Sequence, residues 1–389
     1  MKALHIVKTS VGATWVYQQI RVLRSLGFEI VVALPSANEG LAPHYRQTGA
    51  TVVPVNLDFP AHHPERLRST LAACRELVEE CRPDIIHSHF VGTTIVMRLA
   101  LGKDYQIPRV FQVPGPLHLE HGFFTWLDTR LGGPQDYWIA TCQWTRQRYQ
   151  ALGIRSDRLF LSYVGTDLNL FNNTRAGRLR QELGISSNVP LVGMVAYMYA
   201  PKWFLGETRG LKGHEDFIAA LRLVRQARPD VRGVIIGGAW SNATWYEKRL
   251  RELGAARCNG FLAFLGTRQD VPALYPDLDL AVVPSLSENL GGAVEPLLGG
   301  VPVVATNVGG LPDLVVDGKT GWAVPARNPA ALAHAILEAL QDRDEAGRRT
   351  IEGQKMARGL FDAEKTAREV AAIYEKILAR SLIEASAHA

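Results

Sequence analysis

Glu288 and Glu295 are the only acidic residues between Asp279 and Asp313, and they lie seven positions apart with Gly291 and Gly292 between them. Carboxylates accept hydrogen bonds from sugar-type hydroxyls, and paired glycines let backbone N–H groups approach a phosphate or a hydroxyl with no Cβ in the way. Lys212 supplies the opposite charge. It stands just before Gly213 and a run with helical spacing, where an ammonium group and free helix N–H groups together neutralise a diphosphate. Cation, glycines and carboxylates suit a ligand that carries both phosphate and vicinal hydroxyls.

The elements that must position these groups follow from the hydrophobic pattern. Leu278 to Val283 reads as a buried strand, Glu288 to Gly292 as a turn and Ala293 to Leu298 as the start of an apolar helix. In an open parallel sheet, ligands bind where strand carboxyl ends meet helix amino ends. Glu288 then sits on the loop, and Glu295, about one turn into the helix, faces the same cleft and can accept from ribose hydroxyls. Lys212 ends a long loop, Tyr197 to Lys212, between a strand at Leu191 to Ala196 and a helix at Gly213 to Ala227. In that loop Trp203 and Phe204 either form a stacking wall or tuck the loop against its own domain.

The amino-terminal half has the same grammar. Leu4 to Val7, the helical run Trp15 to Leu26 closed by Gly27, and Phe28 to Leu34 make a βαβ unit. Strands are expected again at Thr51 to Val55, Asp84 to Ser88, Arg109 to Val113, Asp136 to Cys142 and Leu159 to Val164. The fold class is therefore α/β, with two Rossmann-like, doubly wound parallel-sheet domains facing a cleft. The expected domains are 1–172 and 189–365, joined by a linker at about 173–188, with a carboxyl-terminal helix at about 366–389 returning to the first domain.

Composition narrows the class. The chain has 389 residues, 47% apolar and 21% charged, as expected of a soluble globular protein. Four cysteines, at 74, 81, 142 and 258, show neither metal-ligand nor disulfide spacing, and are expected as buried thiols in a reducing cytoplasm. No run approaches the roughly 18 apolar residues of a membrane span. The net charge of +5 comes from residues 1–178, with 19 basic against 14 acidic residues. That excess suits an anionic acceptor or weak peripheral contact with anionic lipid, and equally an ordinary solvated surface. No basic cluster with interleaved aromatics points to nucleic acid. His87 and His89 flank Ser88 on one side of a strand end. They either line an acceptor pocket or are structural, and a metal site would need a third ligand that the sequence does not place.

The stretch from Pro284 to Asp313 resembles the glutamate, seven residues, glutamate motif of family 4 retaining glycosyltransferases of the GT-B fold. Gly300-Val301-Pro302-Val303-Val304-Ala305-Thr306 and Gly309-Gly310-Leu311-Pro312-Asp313 extend that resemblance. It implies that Glu288 orients the donor sugar, that the backbone of Asn289, Leu290, Gly291 and Gly292 touches donor hydroxyls, and that Glu295 holds the nucleotide ribose. It gives the Gly12 loop to the donor diphosphate or the acceptor, although this chain has Gly12-Ala13 where the family has two glycines. His118 is the nearest match to the family's active-site histidine, with His121 second. Lys212-Gly213 matches the family's Lys-Gly. Tyr197 stands where an arginine is expected, so Arg209 or Lys202 is left to supply the second positive charge, and Arg268 borders the nucleotide base.

The implied reaction transfers a hexosyl group with retention from a nucleotide sugar, UDP-hexose before GDP-mannose, to a hydroxyl acceptor such as a polysaccharide precursor or natural-product aglycone. It implies no cofactor and no metal. A sugar-nucleotide epimerase or hydrolase, or a silent sugar-nucleotide-binding subunit, is the alternative on the same architecture.

Overall fold

In a computed structural model of the chain, residues 1–203 and 206–388 are described, with the backbone alone for 382–388. The chain divides into two compact units, Met1–Asp167 with Leu360–Ala389, and Leu168–Gly359.

The first unit is built on a seven-stranded parallel sheet. Its strands are β1 (Lys2–Ile6), β2 (Glu29–Leu34), β3 (Thr51–Pro54), β4 (Ile85–Ser88), β5 (Arg109–Gln112), β6 (Asp136–Ala140) and β7 (Leu159–Leu161), in the order β3-β2-β1-β4-β5-β6-β7. Strands covered on both faces read as near-continuous apolar runs, and the two-residue alternation of β1 divides them between two cores. Ala3 and Val7 pack with Val16, Ile20 and Leu23 of the helix Thr14–Ser25 and with Val370, Tyr374 and Ile377 of the last helix, Ala363–His388. Leu4 and Ile6 pack on the other face with Cys74, Val78, Val96 and Met97. The four cysteines are buried thiols, none of them in a disulfide.

The second unit carries β8 (Leu191–Val195), β9 (Arg232–Ile236), β10 (Leu262–Phe264), β11 (Leu280–Val283), β12 (Val303–Thr306) and β13 (Trp322–Val324). They form a parallel sheet in the order β10-β9-β8-β11-β12-β13. The strand order reverses between β8 and β11, so the connections leaving these neighbours part to opposite faces and open a crevice at the carboxyl ends. The loops of Lys212 and Glu288 follow these two strands.

Among the features that depart from the sequence reading, three stand out. The expected linker is fastened into the second unit. The Asp277 carboxylate accepts the N–H groups of Gly177 (2.7 Å) and Leu179 (2.8 Å), while Arg180 donates to the Asp277 carbonyl (3.0 Å) and pairs with Asp279 (2.5 Å). A 19-residue helix, Arg343–Phe361, precedes the last helix. A further helix, Val91–Leu101, follows β4. Among the described residues, no helix is long and apolar enough to cross a membrane.

Candidate functional site

Two loops of the second unit meet at the reversal between β8 and β11. Gly213 has φ 73°, and a Cβ there would lie 1.9 Å from the carbonyl oxygen of Pro284, so only glycine fits both the left-handed backbone and the contact. One backbone bond, from the Leu286 N–H to Leu211 O (2.8 Å), ties the loops together. The result is that the Lys212 ammonium lies 2.5 Å from the Glu288 carboxylate. Glu288 is nearly buried and fully partnered. Its Oε2 also accepts from the Ser285 hydroxyl (3.1 Å), and its Oε1 from the Asn289 N–H (3.1 Å). A third loop braces it, because the Gly310 N–H donates to the Glu288 carbonyl (3.1 Å).

Lys212, Glu288, Gly291, Gly292, Glu295 and Arg268 all line one cavity of about 360 Å³. The helix Gly291–Leu298 opens onto it with no side-chain cap, so its first N–H groups remain available to a ligand. Gly292 is close-packed, since a Cβ there would meet Val283 at 2.9 Å. Glu295 accepts from the Tyr275 hydroxyl (3.2 Å), and burial holds its carboxyl above the usual range. Glu295 also lines the cavity, where a carboxyl oxygen can accept from a ligand hydroxyl.

The other expected residues are placed differently. Arg268 lines the cavity but is gripped by Glu182 (2.8 Å) and Asp270 (2.9 Å). Arg209 pairs with Asp216, and neither it nor Lys202 is among the described lining residues, whereas Tyr197 is. Leu290 is buried just before the helix, so what it and Asn289 offer a ligand is backbone. Trp203 is exposed; Phe204, its expected partner in a wall, lies outside the described residues.

In the first unit, Gly12 is exposed on the loop after β1. Ala13 beside it has φ 33°, the left-handed backbone that a second glycine would take without strain. His118 is buried, with Nε2 near the Asp128 carboxylate (3.3 Å) and the Tyr149 hydroxyl (3.0 Å). His121 is half-buried against Phe124. The sequence reading missed what holds His118. Asp128 and Asp136 belong to a wholly buried chain of charges in which Arg98 bonds both carboxylates, at 2.5 and 2.9 Å, and Arg109 bonds Asp136 at 2.6 Å. Burial alone would raise the Asp128 carboxyl; the Arg98 guanidinium overrides it and holds the group far below the usual range.

His87 and His89 are fully buried in the core rather than lining a surface. β1 pairs with β4 in a register that sets His5 opposite His87, which supplies the third imidazole the sequence did not place. His5 Nδ1 shares a hydrogen bond with His89 Nε2 (2.9 Å), and Tyr374 bonds His87. Candidate ligand nitrogens of the three lie within 4.8 Å of one another. The His87 and His89 rings, however, stack at 4.1 Å with planes 22° apart, so their in-plane lone pairs run side by side instead of converging on one centre, as a metal requires.

Burial pushes His5 down to about 3 and holds His87 and His89 well below their ordinary value, the charge repulsion among them adding to it. Unfolded histidines take up protons near pH ~6.5 and the folded ones do not. Stability is therefore full above that pH and falls as pH drops, by up to about 1.4 kcal/mol per pH unit for each histidine. Urea unfolding is expected to show several kcal/mol less stability at pH 5 than at pH 7. Equal stability at the two pH values would mean that these rings protonate within the fold.

Two halves of doubly wound parallel sheet, one of them with a cavity lined by Lys212, Glu288 and Glu295 at its strand reversal, define the GT-B class. Residues 12–170 match the Glycosyltransferase Family 4 profile and residues 203–356 the Glycosyl transferases group 1 profile, together well over half of the chain. Among curated relatives, the D-inositol 3-phosphate glycosyltransferase of Corynebacterium glutamicum is 30% identical over 243 residues, covering 60% of this chain and 55% of that protein. Sulfoquinovosyl transferase SQD2 of Arabidopsis thaliana is 27% identical over 345 residues, covering 84% and 62%. The chain thus spans about half the length of the inositol-phosphate relative. Among solved structures, Anabaena Alr3699/HepE in complex with UDP and glucose superposes with a TM-score of 0.80 at 23% identity, covering 96% of this chain and 99% of that one. Sucrose-phosphate synthase of Thermosynechococcus elongatus does so with 0.80 at 19%, covering 98% and 100%. The chain belongs to the family 4 glycosyltransferases of the GT-B fold.

Proposed function

We propose that the protein is a retaining glycosyltransferase that moves a hexosyl group from a nucleotide sugar, a UDP-hexose before GDP-mannose, to a hydroxyl of an acceptor. That acceptor is a polysaccharide precursor or a natural-product aglycone, met in the cytoplasm or at the inner face of the membrane. The observation that carries this reading is the Lys212–Glu288 contact beside the uncapped helix start at Gly291. The Anabaena neighbour's complex with UDP and glucose supports a uridine nucleotide as the first donor to test.

When the diphosphate enters, its oxygens compete for the Lys212 ammonium and draw it from Glu288. The freed carboxylate accepts hydrogen bonds from the sugar and orients it, and Glu295 accepts from the ribose. As the bond from the anomeric carbon to the phosphate oxygen breaks, Lys212 and the helix N–H groups stabilise the charge that develops on the leaving diphosphate. The acceptor oxygen bonds to the anomeric carbon on the face the phosphate is leaving, and its proton passes to the departing phosphate oxygen. The products are a nucleoside diphosphate and a glycoside of retained configuration. In this scheme the protein's own charges carry the leaving group and no metal is required.

Glu288→Gln is expected to slow transfer sharply while no hexose becomes attached to the protein. Detection by mass spectrometry of a hexose on Glu288 in the wild type would replace front-face attack with a double displacement. Melting measured with UDP, GDP and ADP and their sugars tests the wider reading, because a ligand bound only by the folded state stabilises it, by about 2.7 kcal/mol at a hundred times its Kd. One nucleotide and its sugar are expected to raise the melting temperature. If none does, the donor assignment fails.

A further inference from the structure

The chain leaves β8 with strand-like alternation. Met198 is wholly buried in the core of the second unit. Its N–H donates to Gly238 O (2.9 Å), and its carbonyl accepts from the Trp240 N–H (3.2 Å). Tyr197 and Tyr199 therefore project from the opposite side of the backbone. Both line the cavity, and both pack on Trp240, Tyr197 edge-on with ring centroids 5.0 Å apart and Tyr199 tilted at 5.4 Å. The segment carrying Trp240 is itself pinned, since the Ala239 N–H donates to the Glu247 carboxylate (2.8 Å) and Glu247 pairs with Arg251 (2.8 Å).

The wall has a direction. Its inner end is Tyr199, whose ring centroid lies 5.9 Å from the Lys212 ammonium, and Lys212 in turn touches Glu288. Its outer end is Tyr197 and Trp240, each 40% exposed. An uncharged, pre-set aromatic surface brings no positive charge to a phosphate. It fits the apolar C–H face of a sugar ring, while the phenol and indole tips remain free to serve that ring's hydroxyls. Two rings flank a diphosphate on Lys212, the nucleotide's ribose and the donor's own sugar; with the ribose assigned to Glu295, the sugar is the ring left for the wall.

We propose that Tyr197, Tyr199 and Trp240 form a stacking subsite for the pyranose ring of the donor, so that binding of the sugar, and not only of the nucleotide, depends on these three side chains. This deepens the glycosyl-transfer reading above and rests on it. The subsite lies opposite Glu288 in function: the carboxylate takes the hydroxyls at the ring's edge, and the aromatic wall takes its face.

Calorimetric titration of the full chain with UDP, UDP-glucose, GDP, GDP-mannose, ADP and ADP-glucose tests it. In the wild type, one nucleotide sugar is expected to bind more tightly than its nucleotide. Trp240→Leu and Tyr197→Leu are expected to weaken the nucleotide sugar roughly tenfold, leaving the nucleotide within about twofold. Tyr197→Phe, which keeps the ring, is expected to retain most of the sugar-dependent affinity. The side chains changed are partly exposed, and an unshifted melting temperature checks that each variant is folded. Equal weakening of nucleotide and nucleotide sugar would assign the wall to the nucleotide and overturn the proposal, as would no change in either. Failure of the wild type to bind any of the six would instead sink the donor reading on which the subsite rests.

Discussion

Lys212→Gln is expected to lower kcat/KM for glycosyl transfer by roughly 10²–10³-fold, the loss usual when one donor to a developing oxyanion is removed. Glutamine keeps a donor toward Glu288, so the acid is not stranded and the protein should still fold. The loss is expected to be this large because no second described cation lines the cavity free of its own acids. Arg268 is held by Glu182 and Asp270, and Arg209 by Asp216 outside the lining. A ground-state contact alone would raise KM and spare kcat; a fall in kcat is the signature of charge stabilised in the transition state. Steady-state kinetics with the donor found by the melting screen decide the matter. A variant that keeps more than a tenth of wild-type kcat/KM would remove Lys212 from the mechanism.

Asp136→Ala is expected to cost about 3–5 kcal/mol of stability, the usual consequence of leaving a buried charge without its partner. Asp136 accepts from Arg98 (2.9 Å), from Arg109 (2.6 Å) and from the Gly133 N–H (2.6 Å), and both guanidiniums are buried. Removing the carboxylate leaves Arg98 bonded to Asp128 and Arg109 held by a backbone carbonyl, that of Gly102 (2.6 Å). The denaturant midpoint should fall accordingly. A shift worth less than about 1 kcal/mol would show that water reaches the network and screens it.

These two sites differ in how far the sequence disclosed them. The strand, loop and helix from Leu280 to Leu298, and Lys212 ahead of the helix His214–Ala227, were legible because each is a local pattern: an apolar run, a glycine pair, a charge before a helix start. The Asp136 network was not, since its members come from four elements: the register of β5 on β6 pairs Arg109 with Asp136, and packing of the helices Val91–Leu101 and Gly122–Leu131 brings in Arg98 and Asp128. The same holds for His5, brought beside His87 by the pairing of β1 with β4. The acid partners of Arg209 and His118 were within ten residues, yet nothing in an acid's sequence position says which base it will meet.

The missed helices have other causes. Val91–Leu101 is buried on nearly every side, with even Thr93, Thr94 and Arg98 inside, so it has no polar face to reveal a helical period. Arg343–Phe361 fails in the opposite way, being mostly charged and small residues with scattered apolar positions. The 173–188 stretch reads as a linker because it is polar and largely exposed, yet Arg175, Gly177, Leu179 and Arg180 fasten it to Asp277 and Asp279.

The abutment of Gly213 on Pro284, reinforced by the bond from Leu286 to Leu211, makes the lysine and the glutamate a single mechanical part. Of the run before Leu211, Met198 is buried in the core and Gly210 is close-packed on Tyr246, whereas Lys202, Trp203, Gly206 and Thr208 are exposed. Engineering a new ligand preference into this scaffold should therefore treat residues 210–213 and 284–288 as one graft and seek variety at those exposed upstream positions, which bear no part of the loop-to-loop contact.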